Sequence, residues 1–406
     1  MKKKIVSIII NNERLDLFEK NKNFYFKNFF LSKKYQTFLV DISNLHLFKK
    51  NKNYNISGEK FIYYRPRNFS ELKNFFNKYT VISFIKIKYN ISNLRLHILL
   101  KKINIKKTIM LANYGFFPLD NDRKKINFYQ RIKFFFSIKL NYFFYRLLVF
   151  LRIIRGYDIF VTSSNKFINT INSSISSKLD NKFSFLKISF YKKIYRVNTL
   201  FYNNYLKSKK KYESTNEKII FCDSGFDHGD RINREGSINS EIREKYYYNL
   251  NNFLNDIQKN LSKRVIFCQH PKSDYPASNE FDNIKKKFEF LKYDTEKNIY
   301  SSYLTIFQSS LLINYAILLK KKIILITSDY LGNFYHRRFI NYKKEIDLVS
   351  FNIDNYVIDN SDQSLIKLLD QKILNYDNYQ NENLFTDKNM ETSNQVENLL
   401  DKEFND

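Results

Sequence analysis

Apolar residues recur along the chain in short runs that alternate with polar or helix-like segments. In the amino-terminal half these runs predict short parallel strands at residues 4–10, 36–42, 61–64, 81–84, 108–111 and 158–162. In the carboxyl-terminal half they predict strands at 218–222, 264–269, 303–308 and 323–326. Strands that alternate with helices indicate parallel sheets covered by helices, so the pattern predicts an α/β protein.

Length and local composition divide the chain in two. Its 406 residues are too many for one ordinary core and fit two domains of roughly 200 residues each. A charged stretch at 206–217 lacks apolar periodicity and is interpreted as a linker between domains at 1–205 and 218–374. Residues 375–406 are rich in Asn, Asp, Gln and Glu, which predicts a polar tail that is either a frayed closing helix or disordered.

Two short polar motifs follow apolar strands in the second half. His270-Pro271-Lys272 closes one strand, and Ser309-Ser310 closes a later strand and begins a predicted amphipathic helix at 311–319. In open α/β sheets ligands bind outside the carboxyl ends of the strands, and the N-terminus of a helix attracts anions. We interpret the two motifs as a phosphate clamp at adjacent strand ends, although His-Pro alone often marks a turn and Ser-Ser alone a helix cap.

A third candidate loop follows the strand at 218–222. It begins at Asp223, contains Gly225, and carries three further groups suited to acid–base chemistry, Asp227, His228 and Asp230. Asp223 and His270 are the candidate catalytic residues, and Asp227, His228 and Asp230 are alternatives to Asp223. Acidic, glycine-containing loops are also common as simple solvated turns.

In their order along the chain, the acidic loop, the His-Pro motif and the Ser-Ser motif resemble those of bacterial GT-B glycosyltransferases that build capsules and lipopolysaccharide from CMP-activated sugars. Sialyltransferases and Kdo transferases belong to this group, and the resemblance covers residues 219–335. It implies two Rossmann-like domains with a cleft between them, an amino-terminal acceptor domain and a carboxyl-terminal donor domain. In such families the acid is a general base in some members and a nucleophile in others. Here Asp223-Ser224-Gly225 has serine at the position of a second acid, which leaves the role of Asp223 and the stereochemical outcome open.

The resemblance implies a specific reaction and a set of ligand contacts. A sialic-acid-like or Kdo-like sugar would pass from a CMP-sugar donor to a glycan or lipid-linked acceptor of the cell surface. The donor phosphate would be held by His270, Pro271, Lys272, Ser309 and Ser310, with no metal ion and no cofactor. CDP-polyol phosphotransferases of the teichoic-acid type are an alternative, because they resemble this group in their His-Pro and Ser-rich donor halves and also release CMP.

The charge of the chain raises a non-enzymatic alternative, a polyanion-binding protein. Sixty-nine Lys and Arg against 40 Asp and Glu give a net charge of +29, which attracts nucleic acid, anionic lipid or acidic glycans. The sequence shows no helix-turn-helix or zinc-finger spacing, and Cys222 and Cys268 lack metal-ligand neighbours. We therefore expect no specific nucleic-acid partner and a reduced, cytoplasmic protein.

Residues 131–155 are the candidate membrane contact. This segment is rich in Phe, Tyr and Leu, but its Lys and Arg residues interrupt any run approaching the ~20 residues needed to span a bilayer. Such a segment either lies in the interface of an anionic membrane or forms an amphipathic core helix. The first alternative predicts a peripheral protein at the inner face of the cytoplasmic membrane.

Overall fold

The structure is a computed structural model that describes residues 2–10, 34–45, 61–85, 87, 93–112, 140–166, 168–169, 191–211, 217–226, 238–270, 278–358 and 362–406. The described residues form two compact units. Unit 1 takes in the described residues up to Leu200 together with Phe385–Asp406, and unit 2 runs from Phe201 to Leu384.

Unit 1 is built on a parallel sheet. Its described strands are β1 Lys4–Ile10, β2 Gln36–Asp41, β3 Ile62–Tyr64, β4 Thr80–Ile85, β5 Lys107–Ala112, β6 Tyr157–Thr162 and β7 Tyr191–Arg196. They lie in the order β3-β2-β1-β4-β5-β6-β7. Ile5 and Ile9 of β1 pack into a core on one face of the sheet, and Val6 and Ile8 pack into a core on the other. Burial on both faces explains why the strands are almost continuously apolar in sequence.

Unit 2 contains a second parallel sheet. Its described strands are β8 Lys218–Cys222, β9 Arg264–Cys268, β10 Glu289–Leu291, β11 Ser302–Phe307, β12 Lys322–Thr327 and β13 Val349–Asn352. Their order is β10-β9-β8-β11-β12-β13, which is the order of a Rossmann sheet. The chain first adds strands on one side of β8 and then continues on its other side with β11.

Helices connect the strands within each unit. In chain order the described α-helices are α1 Phe69–Lys78, α2 Leu94–Lys101, α3 Leu140–Phe150, α4 Leu200–Lys211, α5 Ser240–Leu261, α6 Asn279–Lys287, α7 Thr295–Tyr300, α8 Ile313–Leu318, α9 Asn333–Ile346, α10 Asp362–Ile373, α11 Tyr376–Asn383 and α12 Thr392–Asn405. Asparagine or serine caps several of them. Asn239, for example, accepts the backbone N–H of Ile242 at the start of α5, at 2.7 Å. In the part of the chain that the structure describes, no helix has the length and apolar character needed to cross a membrane.

The strands expected from the apolar runs are present, with ends that differ by at most one residue. Three further strands within the described residues, β7, β10 and β13, were not expected from the sequence. Each lies at an edge of its sheet. Edge strands are often short or carry charged side chains, and β7, with Lys192 and Lys193 exposed, lacks the apolar run on which the strand predictions rest.

The polar stretches interpreted as linker and tail contain ordered helices. Residues 206–211 form the end of α4, which is tied to unit 2 by the hydrogen bond from the Tyr315 hydroxyl to Ser208 Oγ at 2.6 Å. Residues 212–216 of the expected linker lie outside the described residues. The expected tail contains α11 and α12 rather than disorder. Its apolar residues recur at helical spacing, and those of α12 join the core of unit 1, namely Val396, Leu399, Leu400 and Phe404.

The helix after Ser309-Ser310 differs from its prediction in length and exposure. It was expected to be amphipathic over 311–319, but α8 spans only Ile313–Leu318 and each of its six residues is buried. The polar side of α8 is covered by α11, where Tyr379 donates to Asn314 Oδ1 at 2.8 Å and Gln380 donates to the Ile317 carbonyl at 2.7 Å. The polar residues of this helix therefore face another helix and not solvent.

Candidate functional site

The candidate site lies at the point in unit 2 where the strand order changes direction. Strands β8 and β11 are adjacent and parallel, and the Cα partner of Cys222 is Phe307. The loops that leave their carboxyl ends, Asp223–Gly225 and Gln308–Ser310, are therefore neighbours. In doubly wound sheets this switch point is where ligands bind.

Asp223 closes a tight turn directly after β8. Its carboxylate Oδ1 accepts the backbone N–H of Gly225 at 3.0 Å, and its own N–H donates to the Cys268 carbonyl of β9 at 3.0 Å. Gly225 has a φ of 78°, a conformation that glycine adopts without steric cost. The side chain of Asp223 is 7% exposed, so the carboxylate is held at the strand end and not in open solvent.

Ser224 joins the acidic loop to the Ser-Ser loop. Its hydroxyl accepts the backbone N–H of Ser309 at 2.9 Å, and its own N–H donates to Gln308 Oε1 at 3.3 Å. Both residues of the pair are buried. The serine that departs from the acidic motif is thus the residue that fixes the two candidate loops to each other.

A buried aromatic pair, Phe226 and Tyr246, packs beside this link. The Gln308 side-chain amide donates to the Tyr246 hydroxyl of α5, and the Tyr246 ring stacks on Phe226 with ring centroids 3.9 Å apart. Phe226 directly follows the Asp223–Gly225 turn, so the same loop is held by its backbone, by Ser224 and by this ring contact. These contacts join the loops Asp223–Gly225 and Gln308–Ser310 to each other and to α5, and we call the two loops the platform.

Arg338 of α9 brings a positive charge to the platform. Its Nη1 donates to Ser309 Oγ at 3.3 Å. Tyr335 and Tyr342 lie three residues before and four residues after it and are both buried, so Arg338 shares the inward face of the helix. Burial raises the pKa of the Tyr342 phenol, and the nearby charge of Arg338 opposes that shift.

The start of α9 is fixed by a carboxylate. Asp354, just after β13, accepts hydrogen bonds from Ser328 Oγ at 3.0 Å and from the Asp329 N–H at 2.6 Å. The Asn249 side chain of α5 donates to the same carboxylate at 2.8 Å. These bonds hold the turn after β12, from which α9 continues through Gly332 at a φ of 88°. The position of Arg338 therefore depends on polar contacts at the ends of β12 and β13.

His270 lies farther from the Ser-Ser loop than the clamp interpretation assumed. It follows β9, is partly exposed, and comes directly after Gln269, whose N–H donates to the Leu291 carbonyl at 2.8 Å. Strand β8 lies between β9 and β11, so the two motifs are not at adjacent strand ends. Two strand spacings separate the ends of β9 and β11 by roughly 10 Å. The loop of Asp223 lies between them.

Several residues of the sequence interpretation lie outside the described residues. These are Pro271 and Lys272 of the clamp and Asp227, His228 and Asp230 of the acidic loop. Ser310 is described and partly exposed, and its hydroxyl accepts the N–H of Leu312 at 3.3 Å. That bond uses an acceptor position, so the hydroxyl proton can still be donated to a ligand.

Cys222 and Cys268, which end β8 and β9, contribute packing and not thiol chemistry. They are Cα register partners, both are buried, and both are free thiols. Burial raises the pKa of Cys268 to about 12 and also raises that of Cys222. Both side chains are therefore neutral small groups at the strand ends next to the site.

The described polar groups of the site suit an anionic ligand. Hydroxyls of Ser224, Ser309 and Ser310 can donate to phosphate oxygens, and Arg338 supplies a cation beside them. Among the described residues, no three His, Cys, Asp or Glu side chains gather where they could hold a metal ion. Sequence interpretation missed Gln308 and Arg338. The basic pair Arg337-Arg338 on a helix that follows an apolar strand was the available signal for the latter.

Comparisons with known proteins give similarity in structure and none in sequence. No protein-family model matches the sequence, and no curated protein matches it with significance. A variant of the wall teichoic acid polymerase TagF is similar over 99% of this chain and 89% of its own, with a TM-score of 0.52 and 12% identity. The same variant soaked for 15 minutes with CDPG is similar over 98% and 88%, with a TM-score of 0.51 and 12% identity.

A plant enzyme, UGT89C1 of Arabidopsis thaliana in complex with UDP, is similar over 99% of this chain and all of its own. Its TM-score of 0.46 and identity of 10% are too low to argue from. The resemblance to CMP-sugar transferases has no counterpart among these comparisons and stays a prediction. At 12% identity the similarity to TagF concerns the fold alone, and it confirms the predicted fold class: an α/β chain of two Rossmann-like units of the GT-B type.

Proposed function

We propose that the chain is a transferase that takes a group from a cytidylate-activated donor bound to unit 2. The observation that carries the proposal is the hydrogen-bonded platform at the switch point between β8 and β11, where Ser224 holds Ser309 and Arg338 approaches the same serine. Rossmann sheets bind nucleotides at this point. The choice of cytidine rests on the resemblance of the three motifs to CMP-sugar transferases.

The donor phosphate lies over the Ser-Ser loop in this proposal. The Ser309 and Ser310 hydroxyls donate to its oxygens, and the Arg338 guanidinium balances its charge. His270 approaches from the β9 side, and Lys272, which lies outside the described residues, is proposed as a second cation for the phosphate. Hydrogen bonds and cations directed at the phosphate stabilise the negative charge that grows on cytidylate as it leaves, which is where catalytic stabilisation is largest.

Asp223 acts on the acceptor. As a general base it takes the proton of the acceptor hydroxyl while that oxygen attacks the anomeric carbon and cytidylate departs with the bonding electrons. As a nucleophile its carboxylate attacks the anomeric carbon and expels cytidylate, which forms a glycosyl ester. The acceptor oxygen then attacks the same carbon, releases the Asp223 carboxylate and gives up its proton to solvent. The group transferred is a sialic-acid-like or Kdo-like sugar, and the acceptor is a glycan or a lipid-linked glycan.

Transfer of a polyol phosphate is the second candidate. The similarity in fold to TagF, a wall teichoic acid polymerase with a structure soaked with CDPG, favours it. In that reaction the acceptor oxygen attacks the outer phosphorus of a CDP-linked polyol, the phosphoanhydride bond breaks, and CMP again leaves. The same platform of hydroxyls and Arg338 would stabilise the leaving phosphate.

Product analysis separates the candidates. The protein is incubated with a CMP-sugar or with CDP-glycerol and a glycan acceptor, CMP release is followed, and the product is analysed by mass spectrometry. A product that gains a sugar supports glycosyl transfer, and one that gains a phosphodiester supports the second candidate. If neither donor releases CMP faster than the uncatalysed rate with any acceptor in a panel of glycans, the proposed transferase activity is rejected.

A further inference from the structure

Basic charge is concentrated in one stretch of the sequence, whose described residues belong to unit 1. Residues 86–157 contain sixteen Lys or Arg and two acids, Asp120 and Asp122. Sixteen cations against two acids leave +14 of the chain's +29 within these 72 residues. The described stretches 93–112 and 140–157 contain no acidic residue at all, so this charge is not balanced from within them.

Large apolar side chains are exposed at the end of α3 in the same region. Phe150 is 51% exposed, Leu151 is 53% exposed and Ile153 is 40% exposed, and Phe144 on the same helix is 38% exposed. The helix is nevertheless anchored, because Tyr145 and Leu148 are buried in the core of unit 1. Residues 140–153 therefore combine a core-packed face with an apolar end that faces solvent.

Cations lie beside this apolar end. Lys101, at the end of α2, donates from Nζ to the backbone carbonyl of Arg152, so the ends of α2 and α3 are in contact. Lys101, Lys102 and Arg152 are all exposed. We call the group formed by Lys101, Lys102, Phe150, Leu151, Arg152 and Ile153 the α2–α3 surface.

We infer that the α2–α3 surface docks unit 1 on an anionic lipid bilayer. Transfer of Phe, Leu and Ile side chains from water to the boundary between headgroups and acyl chains lowers the free energy. Lys and Arg beside them remain at the level of the lipid phosphates. Each Lys or Arg near an anionic surface contributes about 1 kcal/mol. The inference does not depend on the proposed function, since it concerns a surface of unit 1 and is tested without substrate.

Only some apolar side chains of residues 131–155 can test this contact. Leu148 is buried, so its replacement would damage the core, and Phe135 lies outside the described residues. Phe150, Leu151 and Ile153 are the exposed apolar positions whose replacement by Ser leaves the core contacts in place. Arg152 has a φ of 56°, which Asn tolerates better than most residues, so the charge variant is Lys101→Gln, Lys102→Gln and Arg152→Asn.

The experiment is co-sedimentation of the full chain with vesicles of phosphatidylglycerol and phosphatidylcholine, compared with vesicles of phosphatidylcholine alone. We expect wild type to bind the anionic vesicles and to be partly released by salt. The Phe150→Ser, Leu151→Ser and Ile153→Ser variant should bind at least about tenfold more weakly, because the inserted apolar area is lost. Loss of three cations should weaken binding on the order of 100-fold.

Two matched controls carry the same number of changes in unit 2. Val357, Leu368 and Leu374 are exposed apolar residues for replacement by Ser, and Lys285, Lys286 and Lys287 are exposed lysines for replacement by Gln. Both controls should bind vesicles much as wild type does, and thermal unfolding should show every variant folded. If the apolar variant is unfolded, the charge variant and its lysine control decide in its place.

Three results would overturn the inference. One is that the folded apolar variant binds anionic vesicles as tightly as wild type, which would mean that the protein is held on the vesicle surface by charge alone. Another is equal losses in the unit 2 controls. The third is a change from dimer to monomer in the apolar variant with vesicle binding intact, which would make the α2–α3 surface a contact with a second copy of the chain.

Discussion

The carboxylate of Asp223 closes the turn after β8, so a catalytic role has to be separated from this structural one. Asn at this position keeps an oxygen that can accept the Gly225 N–H, but it cannot take up a proton. We therefore expect Asp223→Asn to unfold at the same temperature as wild type and to bind CMP with the same affinity. Turnover should fall by roughly 10² to 10⁴, the usual contribution of a positioned base.

Asp223→Ala is the comparison, because it removes the turn contact as well and should lower both stability and turnover. A nucleophilic role predicts in addition a glycosyl adduct on wild type, detected by intact-protein mass spectrometry in the absence of acceptor. Full turnover in Asp223→Asn would contradict both roles and would direct attention to Asp227, His228 and Asp230.

Arg338 is the cation that the structure brings to the Ser-Ser loop. If it binds the donor phosphate as proposed, replacing it with Gln removes a charge-assisted hydrogen bond, which contributes about 1.5 to 3 kcal/mol. CMP or CDP binding should therefore weaken about 10- to 100-fold in calorimetric titration. Arg337→Gln removes the same charge from the adjacent position of α9 and should weaken binding far less. Equal effects of the two changes would mean that Arg338 acts only through general charge.

The contact between Ser224 and Ser309 shows what a single sequence leaves undetermined at the residue scale. The strand ends could be located from apolar runs, so Asp223, His270 and the Ser-Ser pair were identified as strand-end residues. Which strand ends are neighbours depends on strand order, and the order places β8 between β9 and β11. The partner of Ser224 lies 85 residues away in sequence, and no local pattern indicates it.

Helix α12 is polar in composition, but one of its faces is buried in the core of unit 1. Leu400 is buried in the core of unit 1, on the same helix face as Val396 and Phe404. Leu400→Ala should lower the free energy of unfolding by about 2 to 4 kcal/mol, since it leaves a cavity. Asn394 on the same helix is exposed, and Asn394→Ala should change stability by less than about 0.5 kcal/mol. A neutral Leu400→Ala in chemical denaturation would mean that the carboxyl-terminal residues do not pack as described.

The same helix shows why composition alone left two alternatives, a frayed closing helix or disorder, for residues 375–406. Asn, Asp, Gln and Glu dominate the segment, but four apolar residues at helical spacing on α12 join the core on one face of the sheet. Glu403 is buried as well, and its carboxylate accepts from the Tyr195 hydroxyl at 3.0 Å and pairs with Lys107 at 3.4 Å. The number of polar residues in the segment does not reveal that the Glu403 carboxylate has partners in β5 and β7.

At the scale of the molecule, both units repeat one arrangement. In each, the chain adds strands on one side of its first strand and then continues on the other, which gives β3-β2-β1-β4 in unit 1 and β10-β9-β8-β11 in unit 2. Alternating strands and helices predicted this α/β class. The strand order depends on packing over the whole sheet, and the sequence pattern carries no information on it. The switch point and its platform could therefore be identified only from the structure.

Binding of a cytidine nucleotide at the switch point of unit 2 is tested most directly by calorimetric titration of the full chain. CMP, CDP, UMP, GDP and ADP are titrated into wild type and into His270→Ala. We predict that CMP or CDP binds wild type at least about tenfold more tightly than the other nucleotides, a difference of about 1.4 kcal/mol. His270→Ala should weaken that binding by about 2 to 3 kcal/mol if the imidazole contacts the phosphate. Absence of binding by any nucleotide, or equal binding of purine and cytidine nucleotides, would contradict the account.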